Sequence, residues 1–201
     1  MKTDQLNTAG DWPAEPMSVF SQWFEHVKAA DVAEAEAMTL CSATADGKPS
    51  ARLVLLRGHD ERGFCFYTNY ESRKGQELLA NPYAAAVFYW PEQYLQIRIE
   101  GAVEKLTPQE SDAYFNSRDR SKRLSATVSQ QSRPITDWRE LRAAADKLAK
   151  SDDPVPRPAY WGGYRIKPTH MEFWAGSRDR LHRRCVYSKT GEDWSREILA
   201  P

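Results

Sequence analysis

Arg52-Leu-Val-Leu-Leu-Arg57, Gly63-Phe-Cys-Phe-Tyr-Thr68 and Ser72-Arg-Lys74 are the three pieces around which this chain arranges itself. The first reads as a buried strand with a cation at each end. The second reads as another strand, and Asp60-Glu-Arg-Gly63 between them as a turn. The third sets Ser72, Arg73 and Lys74 at the start of a helix that continues through Gly75-Gln-Glu-Leu-Leu-Ala80. A helix N-terminus offers free N–H groups and a positive dipole end, so cations beside it create a site for a phosphate. The stretch can therefore bring several positive side chains and a hydroxyl to one dianion. A plainer account is that basic residues merely flank two hydrophobic strands.

Working outward, Val19, Phe20, Trp23, Phe24 and Val27 recur at three- and four-residue steps, which predicts an amphipathic helix over 17–30 with Ser18 as its cap. Met38–Thr44 is a strand candidate closed by Ala45-Asp-Gly-Lys, a hairpin signal. With 50–57 and 63–68 it makes three strands on short connections, an antiparallel meander. After Asn81-Pro82 come strands at 83–90 and 94–106, the latter with Gln96, Arg98 and Glu100 on one polar face. Thr107-Pro-Gln-Glu110 is a capping box with Pro at the first helical position, so a helix follows to about 116. Residues 117–133 are the most basic, 137–150 are helical, and 152–158 form a Pro-rich connector. Short strands are predicted at 160–166, 170–174, 184–188 and 194–199. The class is α+β with β dominating: an antiparallel barrel, closed or nearly so, with helices at its edges. Residues 1–16 read as a mobile arm and 17–201 as a single domain.

Composition narrows the function. The 28 basic and 28 acidic residues balance, which argues against bulk binding to nucleic acid while leaving local cationic pockets open. No apolar run is long enough to span a membrane, and the N-terminus lacks the apolar core of a secretory signal. Cys41, Cys65 and Cys185 are widely spaced among apolar residues and read as reduced core thiols of a cytoplasmic protein. There is no Gly-x-Gly-x-x-Gly, no Walker-type loop and no Gly-x-Ser-x-Gly, and His26, His59, His170 and His182 have no metal-ligand spacing. Cys185, three residues after His182, reads as strand core and not as a nucleophile. What remains is clusters of cations and aromatics. The densest is Trp174-Ala-Gly-Ser-Arg-Asp-Arg180-Leu-His182-Arg-Arg184, where alternation in an extended segment would put Arg180, His182 and Arg184 on one face.

These pieces, together with Phe66-Tyr-Thr-Asn69, Gln96-Ile-Arg-Ile-Glu-Gly101, Tyr114-Phe-Asn-Ser-Arg118, Val128-Ser-Gln-Gln-Ser132, Pro158-Ala-Tyr-Trp-Gly-Gly163, Glu172-Phe-Trp174, Arg180-Leu-His182 and Leu199-Ala-Pro201, resemble the pyridoxine (pyridoxamine) 5′-phosphate oxidases. The similarity runs in order from about residue 16 to the end. Each motif alone is weak; together they are specific. The resemblance implies a split β-barrel homodimer with FMN at the subunit interface. It would put Arg52, Val54 and Leu55 on the flavin and ribityl chain, and Tyr67, Thr68, Arg73 and Lys74 around the FMN phosphate. Gln96, Gln131, Ser132, Trp174 and Arg184 would complete the flavin site, with Arg57 at the boundary between cofactor and substrate. Arg57, Tyr114, Arg118 and Lys122 would hold the phosphate of the B6 substrate, and Arg180 and His182, the catalytic candidates, would flank its pyridine ring. The implied reaction moves a hydride from the substrate's C4′ to the flavin, gives the aldehyde, and returns the electrons to dioxygen as hydrogen peroxide.

The chain departs from the family pattern in five places, one of them Thr127 where a bulky residue is usual. Arg57 stands where Lys is usual, which keeps the charge and changes the fork geometry. Asp119 replaces a Pro, and Lys122 a phosphate-binding Ser. Arg183 replaces an Asp and would set repulsion among Arg180, Arg183 and Arg184. Two alternatives stay open: an FMN oxidase of phenazine biosynthesis, which shares barrel and cofactor site, and a non-catalytic protein that binds FMN or a B6 phosphate.

Overall fold

The computed structural model describes residues 8–151 and 153–201. Among these residues five α-helices and nine strands follow in the order α1 (Pro16–Ala29), β1 (Ala37–Ala43), β2 (Pro49–Leu55), β3 (Gly58–Asp60), β4 (Gly63–Asn69), α2 (Arg73–Ala80), β5 (Tyr83–Trp90) and β6 (Leu95–Lys105). Then follow α3 (Pro108–Ser117), α4 (Arg120–Val128), α5 (Trp138–Ala149), β7 (Trp161–Ala175), β8 (Arg183–Thr190) and β9 (Asp193–Leu199). All strand pairings are antiparallel, in the order β2-β1-β5-β6-β7-β4-β3, with β8 and β9 continuing from β7. The sheet curls into a split barrel with helices at its periphery.

The strand at the centre of this arrangement is β7. The two short strands expected at 160–166 and 170–174 are one span of 15 residues. Its first half pairs with β4, its second half with β8, and β6 runs along both. A register shift at Glu100/Gly101 lets the long pair bend. Gly101 is needed there, since a Cβ would lie 2.0 Å from the Lys167 carbonyl oxygen. The expected three-strand meander is not formed. β1 and β2 make a hairpin, but β4 pairs with β7 at the other side of the sheet. Local turn signals could not reveal that long-range choice.

β2 is also less buried than its hydrophobic run suggests. It ends the strand order, and Leu53 and Leu55 are 68% and 40% exposed. Inside the barrel, α1 buries all five residues of the predicted stripe. Phe20 packs edge-on against Phe64 and Phe88, and Trp23 against Phe173. The cap of this helix is Glu15, with Pro16 at the first position, so Ser18 lies within the first turn. Trp12 is 2% exposed and packs on Trp23 and Phe173, while the Tyr187 hydroxyl donates to the Pro13 carbonyl. The packed domain therefore includes Trp12 and does not begin at residue 17; a Trp next to Pro and Gly carries no periodic signal. Residues 1–7 of the expected arm, and the first residue of the 152–158 connector, lie outside the described residues. Among the described residues no helix is long and apolar enough to cross a membrane.

Candidate active site

The start of α2 forms as its sequence suggests. Ser72 caps the helix, its Oγ accepting from the Gly75 N–H. One residue into the helix, the Lys74 ammonium turns inward and is 8% exposed. It donates to Gln131 Oε1 at 2.9 Å, Thr68 Oγ1 at 3.1 Å and Ser72 Oγ at 3.4 Å. All three acceptors are neutral. Burial, with the nearby Arg52 charge adding to it, pushes Lys74 down to about 8. A buried ammonium with no carboxylate in contact calls for an anion, and a helix N-terminus is where a phosphate is best received. The predicted residues Thr68, Lys74 and Gln131 thus meet, and the donor set fits a phosphate monoester. Ser132 follows in an exposed turn with φ of 70°.

Arg52 of β2 and Arg73 at the start of α2 meet at a residue that the sequence reading missed. Glu77, 5% exposed, accepts from Ser42 and Ser50 hydroxyls at 2.6 Å, from Arg73 at 2.9 Å and from Arg52 at 3.1 Å. Arg52 donates in turn to both serines. Burial alone would raise this carboxyl, but the two hydroxyls and two guanidinium groups outweigh it and hold Glu77 at about 2. In the sequence Glu77 looked like an ordinary polar residue of an amphipathic helix.

Beyond Lys74 opens a cavity of about 610 Å³, lined by Val54 and Leu55 of β2, by Arg57 in the connection to β3, and by Tyr67, Tyr114 and Trp161 among others. These three rings form a parallel stack, with centroids 3.9 Å apart for Tyr67–Tyr114 and 5.6 Å for Tyr67–Trp161. Gly162, beside Trp161, permits the close approach of Tyr70, whose hydroxyl would lie 2.1 Å from an added Cβ. Burial pushes the Tyr67 hydroxyl up to about 12, so it stays protonated. The Arg118 guanidinium lies 4.8 Å over the Trp161 ring, and its Nη1 is buried without a partner. Burial lowers Arg118, and the Arg57 charge works in the same direction, so two cations converge at this end of the cavity. An orphaned buried guanidinium N–H is chemically suited to an anion. Lys122 reaches the rim, paired with Asp119 at 2.8 Å with both side chains largely exposed.

The remaining predicted residues do not line this cavity. Gln96 and Trp174 face each other across β6 and β7, and Trp174 pairs with Arg184 across β7 and β8. His182 packs on Trp174 with ring centroids 4.7 Å apart. Arg180 and His182 are not on an extended strand: residues 176–182 form a turn, and Arg180 has φ of 68°. One-face alternation of Arg180, His182 and Arg184 is thereby overturned, because a turn breaks the period of two. Nor do the arginines simply repel. Of Arg180, Arg183 and Arg184, the last is paired: Glu172, 3% exposed, binds it at 2.8 Å and holds Arg98 at 3.0 Å. Along β7 the two clusters lie 13 residues apart at Trp161 and Trp174, roughly 40 Å of extended strand. Within one chain they are two separate clusters.

Residues 24–151 match the family model described as pyridoxamine 5′-phosphate oxidase, and 161–201 match that of the pyridoxine 5′-phosphate oxidase C-terminal dimerisation region. A pyridoxine/pyridoxamine 5′-phosphate oxidase of Bordetella petrii is 51% identical over 190 residues, covering 94% of this chain and 90% of its own. One from Pseudomonas fluorescens is 50% identical over 193 residues, with the same two coverages. Among solved structures, PhzG of Burkholderia lata in complex with tetrahydrophenazine-1-carboxylic acid superposes with a TM-score of 0.93 at 38% identity, covering 96% of each chain. A pyridoxamine 5′-phosphate oxidase-related, FMN binding protein of Nostoc punctiforme shares the fold with a TM-score of 0.76 at 17% identity, covering 92% of this chain and 96% of its own.

Proposed function

The chain belongs to the pyridoxamine 5′-phosphate oxidase family, and from that premise we propose an FMN-dependent oxidase that converts pyridoxine 5′-phosphate and pyridoxamine 5′-phosphate to pyridoxal 5′-phosphate, reducing dioxygen to hydrogen peroxide. One observation carries the reading: a single cavity has two separate positions for an anion. Lys74 with Thr68 and Gln131 occupies one end, and Arg57 with Arg118 the other. A phosphorylated cofactor and a phosphorylated substrate in adjacent seats match that pair.

Lys74, Arg52 and Arg73 would hold the FMN phosphate, with Thr68 and Gln131 as neutral partners, and Val54 and Leu55 would pass the ribityl chain. Bound FMN would supply the two-electron acceptor for oxidation at the substrate's C4′. The chain's own work is placement. Arg118 Nη1, Arg57 and the Tyr114 hydroxyl would take the substrate phosphate, and the aromatic stack would shield it from water on one side. Lys122 would join only by leaving Asp119. His182 Nδ1 accepts from the Ser177 N–H, so the proton of the neutral ring is on Nε2. That Nε2–H is the donor His182 can offer to a polar atom of the pyridine ring, and Arg180 adds charge beside it.

Trp174, Arg184 and His182 can reach such a substrate only from another copy of the chain. The dimerisation region over 161–201, the exposed β2 edge and the separation of the half-sites all support a homodimer whose cavities are built from both protomers. The likeness to PhzG supports a second reading, in which the cationic end of the cavity takes an aromatic carboxylate. Purified protein should show a flavin absorbance spectrum and consume oxygen with either B6 phosphate, yielding peroxide and a near-ultraviolet aldehyde band. Turnover of tetrahydrophenazine carboxylic acid alone would favour the second reading. Bound flavin without turnover of either would leave a binding protein.

A further inference from the structure

Glu77 is a buried carboxylate on the same helix as Lys74, and nothing in the reaction calls for it. It sits one turn after Arg73 and Lys74 on α2, yet its partners come from three elements: Ser42 on β1, Ser50 and Arg52 on β2, and Arg73 on α2. Without it, Arg52 would face Lys74 with no counter-charge and would swing toward solvent. With it, two guanidinium groups and one ammonium stand against a single carboxylate, which leaves a charge of +2 at the helix start. A phosphate monoester carries about −1.5 to −2 near neutral pH. The two charges match.

We infer that Glu77 is a positioning residue for the phosphate: its carboxylate fixes Arg52, directly and through the Ser42 and Ser50 hydroxyls, so that the helix start receives a dianion. The inference rests on the FMN reading above and adds a residue to it. Most of the effect runs through Arg52, because the Arg73 side chain is 65% exposed and its ion pair is solvated. Two opposed forces separate the inference from simple electrostatics. As a bare charge, Glu77 repels phosphate, so neutralising it would tighten binding. As a positioner, it makes binding possible, so neutralising it weakens binding.

The test titrates apoprotein with FMN and with riboflavin, which lacks the phosphate, following flavin fluorescence. Glu77→Gln should weaken FMN by about tenfold or more, the scale of one charge-assisted contact. Riboflavin affinity should stay within about twofold, and Glu77→Gln should add no further loss to Arg52→Ala, since coupled residues are non-additive. Unchanged or tighter FMN binding overturns the inference, as does an equal loss for riboflavin or an additive loss on Arg52→Ala. If Glu77→Gln does not fold, the Ser42→Ala/Ser50→Ala double variant removes the two bridging hydroxyls, and the same selective FMN loss is required of it. Wild-type protein that binds FMN no better than riboflavin overturns the phosphate reading itself, and the inference with it.

Discussion

Raising the pH challenges Lys74 directly. Its ammonium is held at about 8, against an ordinary lysine value of 10.5, chiefly by burial. In the unfolded chain the same group keeps its proton up to the ordinary value. Between the two values the unfolded state binds more protons, so the stability of the apoprotein rises with pH across that window. Each unit of depression is worth about 1.4 kcal/mol, giving about 3 kcal/mol of charge-burial penalty that is fully present below pH 8 and relieved by pH 10.5. Phosphate binding runs the other way, because the dianion needs the ammonium. FMN affinity should therefore fall as pH rises through 8, by up to about tenfold per unit, while apoprotein stability increases. The assay compares wild type with Lys74→Met, by urea unfolding of the apoprotein and by FMN titration from pH 7 to 10. Differences between the two proteins cancel the other titrating groups. Lys74→Met should be the more stable apoprotein at pH 7 and should bind FMN weakly with a flat profile through pH 8. Identical pH profiles for both proteins would refute the argument, since they would mean that Lys74 does not titrate in this range.

Arg118→Ala should lower kcat/KM for phosphorylated substrates roughly 10- to 100-fold, the scale of a charged hydrogen bond, with flavin content unchanged. Steady-state kinetics on purified holoenzyme reads this directly. Arg180→Ala should impair turnover with FMN still bound at stoichiometry; unchanged kinetics would remove Arg180 from the mechanism. Trp12→Ala should destabilise the fold by about 3–5 kcal/mol in denaturant unfolding, as expected for an aromatic deleted from a packed core.

Much of this architecture was legible because its signals are local. The α1 stripe, the helix start at Ser72–Lys74 and the Thr107–Glu110 capping box are each decided by neighbours within four residues, and all three formed as read, apart from the cap of α1. The β4–β7 pairing was not legible, since it joins residues about a hundred positions apart and competes with a nearer hairpin. Predicted site residues sorted by element: Thr68, Lys74 and Gln131 converge, whereas Gln96, Trp174 and Arg184 gather elsewhere. The two carboxylates that pair with arginines in these clusters, Glu77 and Glu172, were assigned no role, although Glu172 lies in a quoted motif. Each sits where pattern alone expects a solvent-facing charge, and only the tertiary fold reveals the arginines around it. The helix expected over 137–150 shows the limit of pattern from the other side. The helix is there, but it has no buried residue, and Trp138 is 74% exposed.

The unbroken run of β7 has a genetic consequence. If each cavity combines the Trp161 end of one protomer with the Trp174 end of its partner, a defect at either end spoils both cavities of a mutant homodimer, yet two different defects can rescue one another. Lys74→Ala and Arg184→Ala, each inactive by itself, would form mixed dimers in which one cavity carries both lesions and the other carries none. Random refolding of equal amounts should restore about one quarter of the wild-type sites, because about half of the dimers are mixed and each has one intact cavity. Measured as recovered oxygen consumption after co-refolding, that fraction reports how the work is divided between subunits; no recovery would mean that each protomer is complete alone.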